Sequence, residues 1–335
     1  MASNVTRHVL VTDYAWPSLE IERDGLGKIG AELVVASTGQ EEELQTLAAQ
    51  ADAILTNWKL VSGKTLAKAS KCLIVSRYGV GVDNIDVEAA TANGIIVTNV
   101  PDYCMDEVST EAMALLLCGA RRIMVYDRLV RAGGWDMRAG LPFPRLWGLT
   151  LGIVGFGRIG RAVAPKAQAF GLRVIGYDPY IDQQEMVKRN VTPTDFDTLL
   201  RESDFVTLHT PLTAETTKMI GEEALGKMKR TAWLINTARG GVVDTEALAV
   251  ALQKGRIAGA GLDVMPEEPP AVSDPLRYLP NVVMTPHSAF YSEGSLQELQ
   301  AKAVKRIVDV FAGGTPDHII NPAVLKQDNC RLKRR

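Results

Sequence analysis

Cysteine and histidine are both scarce in this chain, with four of each among 335 residues. The cysteines, Cys72, Cys104, Cys118 and Cys330, are scattered and include no CxxC pair, so neither a zinc site nor a disulfide framework is indicated and no metal is expected. Cys72 and Cys118 sit in apolar runs as core residues, and reduced thiols suit a cytoplasmic protein. A charge excess of one sign is also missing: the formal net charge is -2, which points to no nucleic-acid or acidic-surface partner. No charge-free apolar stretch reaches the roughly 18 residues of a membrane span. The N-terminal MASNVTRHVLVTD lacks a signal-peptide apolar run. Low-complexity segments are absent, and the basic end Arg331–Arg335 is short enough to read as a solvated tail.

What is present is an ordinary globular composition, 46% hydrophobic and 23% charged, spread over more residues than one compact core usually holds. Two domains are expected. Short apolar runs at His8–Asp13, Ala31–Ser37, Ala53–Asn57, Leu73–Arg77 and Ile95–Asn99 alternate with stretches of helical pattern such as Glu41–Ala49 and Ser62–Ala69. Continuous apolar runs separated by helices describe parallel strands buried on both faces. A long helical pattern then runs from Met105 to Arg131 and stops at Gly133-Gly134, followed by a loop at Leu141-Pro142-Phe143-Pro144.

A second alternating series follows: Leu151–Gly155, Arg173–Asp178, Phe205–His209, Ala232–Asn236, Gly259–Val264 and Val282–Pro286, separated by helical stretches. The pattern turns helical again from Glu293 to Phe311. The expected fold class is α/β, with two doubly wound parallel-sheet domains of Rossmann-like or flavodoxin-like type. The expected boundary falls between residues 101 and 102, and the second domain ends at 291. Periodicity alone does not say where residues 292–335 pack.

The strongest local signal is Leu151-Gly-Ile-Val-Gly155-Phe-Gly157-Arg-Ile-Gly160, an apolar strand entering GxGxxG, with a helical pattern over Arg158–Phe170. A second strand ends at Asp178, 18 residues after Gly160. That is the spacing of a dinucleotide-binding βαβ unit. Gly155 makes the tight turn, Gly157 lets a pyrophosphate approach, and Gly160 lets the helix pack on the strand. The helix start offers N–H groups and a positive dipole end to phosphates, which places Arg158 and Ile159 at the cofactor. Asp178 suits the ribose hydroxyls and would repel a 2′-phosphate, favouring NAD over NADP. Arg161 and Arg173 are the residues that could still meet such a phosphate.

Hydride transfer to a 2-oxo acid needs a cation for the carboxylate, preferably a bidentate fork, and an oriented acid of near-neutral pKa for the carbonyl oxygen. Candidates stand at strand ends, where open α/β sheets bind ligands. Arg239 follows Trp233–Ala238 beside Gly240-Gly241, Glu268 lies in a proline-rich loop, and His287 closes Val282–Pro286. Against this, Arg239 could cap a surface helix, Glu268 could be a solvated charge, and His287 could be structural. His209 also ends a strand and is the rival acid by position, although Thr210-Pro211 reads better as a loop against the cofactor.

At these residues the chain resembles the D-2-hydroxyacid dehydrogenase family over about residues 7 to 325. The motifs are Gly79-Val80-Gly81-Val-Asp83-Asn84-Ile85-Asp86, the glycine turn, His209-Thr210-Pro211-Leu212-Thr213, Asn236-Thr237-Ala238-Arg239-Gly240-Gly241, Gly261-Leu262-Asp263-Val264 with Glu267-Glu268-Pro269, and Thr285-Pro286-His287. The resemblance implies that Arg239 holds the substrate carboxylate, that His287 is the acid/base, and that Glu268 raises the pKa of that histidine. It implies substrate contacts from the backbone around Val80 and Gly81. It places Asp263 near the nicotinamide carboxamide, with Thr210, Pro211, Thr216, Thr237 and Ala238 also lining NAD. It implies a substrate domain built from both chain ends (1–101 with 292–335), a central NAD domain over 102–291 that closes on ligand, and a homodimer.

A narrower stretch, His287-Ser-Ala289-Phe290-Tyr291-Ser292-Glu293, is similar to the C-terminal-binding protein corepressors, as is Arg77 before Tyr78-Gly79. Arg77 either meets a second polar end of the substrate or makes a salt bridge within its domain; Phe290 either lines a substrate pocket or packs. Where many members of the family carry Val-Ala-Glu, this chain has Val108-Ser109-Thr110, which leaves cofactor contacts near Ser109 open. The chain ends soon after the core fold, as expected of a member without the regulatory extension of larger phosphoglycerate dehydrogenases. The leading expectation is an NAD-dependent oxidoreductase interconverting a 2-oxo acid and a D-2-hydroxy acid. The alternatives are an NAD(H)-sensing binding protein and a phosphite- or formate-type dehydrogenase.

Overall fold

The computed structural model describes residues 6–142 and 144–334. Phe143 of the expected loop, Arg335 of the basic tail and the first five residues of the N-terminal segment lie outside the described residues. The chain divides into two compact units, Met1–Cys104 with Ser292–Arg335, and Met105–Tyr291.

The first unit holds β1 (Arg7–Val11), β2 (Ala31–Val35), β3 (Ala53–Thr56), β4 (Ile74–Arg77) and β5 (Ile96–Thr98). They form one parallel sheet in the order β2-β1-β3-β4-β5, a flavodoxin-like arrangement. β3 and β5 are buried along their whole length, which is why they read as unbroken apolar runs. Side-chain caps start the returning helices: Ser62 accepts the N–H of Thr65 ahead of Gly63–Lys68, and Asp86 that of Ala89 ahead of Val87–Ala92.

The tail of the chain completes this unit. Helix Glu293–Phe311 opens on a Ser292–Ser295 capping box and buries Leu299, Ala303, Ile307 and Val310. Beyond it, the buried Asn321 carboxamide accepts the N–H of Val97 and donates to the carbonyl of Ile95, both at 2.9 Å. Ile319 bridges Thr98 in antiparallel sense. These bonds close the β5 edge, which would otherwise present unpaired backbone.

The second unit holds β6 (Thr150–Val154), β7 (Arg173–Tyr177), β8 (Thr192–Pro193), β9 (Phe205–Leu208), β10 (Trp233–Asn236), β11 (Gly259–Leu262) and β12 (Val282–Met284). All are parallel, in the order β12-β11-β10-β9-β6-β7-β8. This is the Rossmann order with one strand added, and the order reverses between β6 and β9. β8 is absent from the sequence reading because it is two residues long and ends in Pro193; at a sheet edge the missing N–H is tolerated.

The single helix expected over Met105–Arg131 is two helices, Met105–Ala120 and Ile123–Arg131. Arg122 sits between them at φ 53, a left-handed conformation that interrupts helical hydrogen bonding. Packing differs on the two sides: the first helix buries Ala112, Leu115, Leu116 and Gly119, whereas the second buries no residue. No glycine or proline marks the break, so nothing in the local sequence announced it.

Candidate active site

The reversal between β6 and β9 is where the glycine turn lies. Gly155 adopts φ +90, and a Cβ there would stand 2.7 Å from the carbonyl oxygen of His209, so the turn and the end of β9 approach too closely for a side chain. A Cβ on Gly160 would meet the carbonyl oxygen of Gly155 at 2.3 Å, which fixes how tightly helix Arg158–Ala169 packs on the turn. Gly157 differs: a Cβ there would meet nothing within 4 Å. The protein's own packing does not require glycine at 157, so the requirement comes from whatever docks on the turn. Gly157 is also the N-cap, with no side-chain cap over the first-turn N–H groups around the exposed Arg158 and the half-buried Ile159.

Asp178 follows β7, and its Oδ2 accepts the N–H of Phe156 at 2.8 Å while Oδ1 accepts that of Tyr180 at 2.9 Å. The acid is thereby locked to the glycine turn. Past β9, the Thr216 hydroxyl donates to the carbonyl of Pro211 at 2.7 Å and accepts the N–H of Thr213 at 2.8 Å, shaping the loop after Thr210. The buried hydroxyls of Thr210 and Thr237 have no hydrogen-bond partner among the described residues. Two orphaned hydroxyls at strand ends and a glycine with open space suit a dinucleotide, whose hydroxyls, amide and phosphates supply the missing partners.

Arg239, Glu268 and His287 all belong to the second unit and stand at the carboxyl ends of β10, β11 and β12. Asn236 organises the first loop: its carboxamide accepts the N–H of Ala238 at 3.0 Å and donates to the carbonyl of Arg239 at 2.9 Å. Ala238 packs against the core, and the half-buried Arg239 reaches its carbonyl with Nη1 at 2.8 Å. A Cβ on Gly240 would come within 2.0 Å of the Met265 carbonyl carbon, so the arginine loop lies directly against the loop that carries Glu268.

Glu268 Oε2 lies 2.6 Å from His287 Nδ1, and Glu268 Oε1 accepts the N–H of Met265 at 3.0 Å. Burial works to raise the Glu268 pKa, but the hydrogen bond and charge of His287, the Met265 N–H and the charge of Arg239 together hold it below its ordinary value. Glu268 is therefore a carboxylate facing an imidazole, with a guanidinium near enough to act on it. His287 has φ 53, an uncommon conformation for a residue with a side chain. It is held there by its own N–H to the carbonyl of Asp263 at 2.8 Å. The Asp263 carboxylate, 2% exposed, takes the Thr285 hydroxyl at 2.6 Å and the N–H groups of Ser288 and Ala289 at 2.8 and 3.0 Å. Phe290 stands edge-on to the His287 ring, with centroids 6.1 Å apart.

His209, the rival acid, is buried, and burial pushes its pKa down to about 3. It is neutral at physiological pH and supplies no proton there. Its Nε2 instead contacts the Thr207 hydroxyl at 3.0 Å. The Ser109 hydroxyl donates to the carbonyl of Asp106 within its own helix. Arg77, Val80 and Gly81 lie in the first unit, at the carboxyl end of β4. There Arg77 Nη1 donates to the carbonyl of Tyr78 and the Asn99 carboxamide donates to that of Val80 at 2.6 Å. The parts played by Asn236 and Asn99 were not read from the sequence. An asparagine just past a strand and a few residues from a glycine-flanked loop is the signal that would have found them.

Comparison with known proteins settles the class. The model of the D-isomer specific 2-hydroxyacid dehydrogenase NAD-binding domain matches residues 113–289. A glyoxylate reductase of Pyrococcus horikoshii is 40% identical over 319 residues, covering 92% of this chain and 95% of that protein. The chain belongs to the D-isomer specific 2-hydroxyacid dehydrogenases. A second relative, a glyoxylate reductase of Korarchaeum cryptofilum, is 45% identical over 270 residues, 79% of the dehydrogenase and 81% of the relative. Among solved structures, D-lactate dehydrogenase from Aquifex aeolicus complexed with NAD and lactic acid superposes with a TM-score of 0.84 at 30% identity, covering 92% and 96% of the two chains. The dehydrogenase is thus an NAD-dependent oxidoreductase of α/β fold. No helix among its described residues is long and apolar enough to cross a membrane, and no group of three metal-ligating side chains occurs among them.

Proposed function

We propose that the dehydrogenase reduces a short 2-oxo acid, with glyoxylate the first candidate, to its D-2-hydroxy acid, using Arg239 and His287. The observation that carries this reading is the 2.6 Å contact between His287 Nδ1 and the ionised Glu268, with the Arg239 charge acting on the same carboxylate.

Each residue has a defined task. Arg239 presents a planar fork to the substrate carboxylate and fixes the orientation of the carbonyl. Glu268 accepts the proton on Nδ1 and so fixes the imidazole tautomer and plane. Nε2 then donates a proton to the carbonyl oxygen as C2 is reduced, and in the reverse direction takes the hydroxyl proton. NADH, when bound, supplies the hydride. Gly155, Gly157, Arg158, Ile159 and Gly160 receive its pyrophosphate and Asp178 its ribose hydroxyls. Thr210, Pro211, Thr216, Thr237, Ala238 and Asp263 line the rest. The first unit is the substrate domain, where the backbone of Val80 and Gly81 meets the carboxylate and Arg77 meets a polar end of the substrate. Phe290 bounds the small substrate pocket beside His287. Relatives of 40% and 45% identity that are glyoxylate reductases support the short substrate.

We further place the enzyme in the cytoplasm as a homodimer. Its four cysteines are free, which suits a reducing compartment. The helix Ile123–Arg131 buries nothing, and Trp135, Met137, Leu141 and Trp147 are 89%, 85%, 66% and 73% exposed. So much apolar surface in one segment is what a second copy would cover.

The test is a screen of 2-oxo acids with NADH and NADPH, followed by His287→Ala. The variant is expected to lose about a hundredfold to ten-thousandfold in kcat while NADH binding persists. Unchanged turnover in the variant, or no oxo acid reduced by the wild type, rejects the reading.

A further inference from the structure

Glu111 lies on the helix Met105–Ala120, seven residues before Cys118, on the side that packs over β11 and β12. The sequence reading gave it no role. It is half-buried, its carboxyl is within hydrogen-bonding reach of the Thr285 hydroxyl, and Asp263 is its charged neighbour. Thr285 therefore stands between two carboxyl groups, and its hydroxyl carries one hydrogen.

That hydrogen can serve only one of them. At 2.6 Å it goes to Asp263 Oδ1, and Asp263 also receives the N–H groups of Ser288 and Ala289. Three donors converging on Asp263 make it the member of the pair that keeps its charge. Glu111 can then bond to Thr285 only by donating a hydrogen of its own. We propose that Glu111 is a positioning residue held as a neutral carboxylic acid, the first link of a donor chain Glu111–Thr285–Asp263 that anchors the loop carrying His287. The inference rests on the reading of His287 as proton donor.

Burial, and then the charge of Asp263, both push the Glu111 pKa upward, in keeping with the hydrogen count. Cys118, on the same helix, has its thiol pKa raised by burial and then by Glu111. Neighbouring cations are engaged elsewhere. Lys166, from the helix packed alongside, bonds Asp106 Oδ1 at 2.6 Å and Thr110 Oγ1 at 2.7 Å, and Arg122 lies 5.8 Å from the centroid of the Trp233 ring. β10 contributes no titratable side chain on its way past this helix.

Ionising Glu111 would set a second negative charge against Asp263 and remove the donor to Thr285. The expected consequence is an alkaline fall in activity that does not come from the imidazole. It is read most cleanly in the oxidative direction, where His287 must be neutral and alkali otherwise helps. There, kcat of the wild type should fall about tenfold per pH unit once Glu111 ionises. Glu111→Ala should lower kcat about five- to tenfold at neutral pH through the lost bond. Glu111→Gln, whose amide still donates to Thr285, should recover most of that loss and lack the alkaline fall. An infrared difference spectrum of wild type minus Glu111→Gln should contain a carboxylic-acid C=O band at neutral pH. No such band overturns the neutral acid. An alkaline fall that coincides in wild type and Glu111→Gln overturns the positioning role. The infrared arm needs no turnover, so it decides on Glu111 even if the wild type reduces no oxo acid.

Discussion

His287 Nδ1 and Glu268 Oε2 stand 2.6 Å apart, while the other oxygen of Glu268 is tied to the N–H of Met265. One carboxylate thus joins the imidazole to the proline-rich loop and shares the field of Arg239. Its folded pKa lies below the 4.5 of a free glutamate; burial opposes that direction, and the imidazole, the Met265 N–H and Arg239 outweigh it. The sign for stability follows. Glu268 contributes stability above about pH 4.5, and the contribution is lost as pH falls through the lower, folded value. Urea unfolding of wild type and Glu268→Gln as a function of pH should show the steeper acid loss in the wild type. Parallel acid limbs would contradict the pairing.

Arg239→Lys tests the fork. A lysine keeps the charge and loses the paired, planar donors. Losing one charge-assisted hydrogen bond corresponds to about a tenfold to hundredfold loss of kcat/KM for the oxo acid. The affinity for NADH, measured by fluorescence titration, should hardly change. A variant with unaltered kcat/KM would remove Arg239 from the carboxylate.

Two glycines of the same turn should respond in opposite ways. Gly160→Ala places a methyl 2.3 Å from the Gly155 carbonyl, so Tm should fall along with cofactor binding. Gly157→Ala meets no protein atom within 4 Å, so Tm without cofactor should be that of the wild type while NADH binding is lost. Calorimetry of both variants with and without NADH separates the two effects. Tight NADH binding by Gly157→Ala would mean that the pyrophosphate does not pass over this residue.

The exposed segment from Ile123 to Trp147 predicts its own outcome. Replacing Trp135 and Trp147 together by serine should shift the sedimentation coefficient from dimer to monomer at micromolar concentration. A wild type that sediments as a monomer would refute the homodimer directly.

Much of this architecture was legible because parallel strands are buried on both faces. β6, β9 and β10 show up as apolar runs, and Gly155, Gly157 and Asp178 as punctuation at fixed distances from them. Three things were not legible, each for a physical reason. The break at Arg122 depends on which half of the helix finds a sheet to cover, which is a tertiary matter. β8 is too short to carry a period. The docking of Asn321 against Val97 joins positions 224 residues apart through one buried carboxamide, and no local window contains both. At the site, Arg239, Glu268 and His287 could be picked out by type and position. The supports from Asn236, Asp263 and Thr285 depend on hydrogen bonds between loops and had to be seen.

The return of Ser292–Arg335 to the first unit also bears on how the polypeptide is made. Its five-stranded sheet gains its β5 edge partners and its covering helix only from the last segment to leave the ribosome. The continuous segment Met105–Tyr291, with its glycine turn and its Arg239, Glu268 and His287, is complete earlier. Synthesis therefore delivers the nucleotide-handling half first, while the N-terminal half waits, with apolar surface uncovered, for the end of its own message.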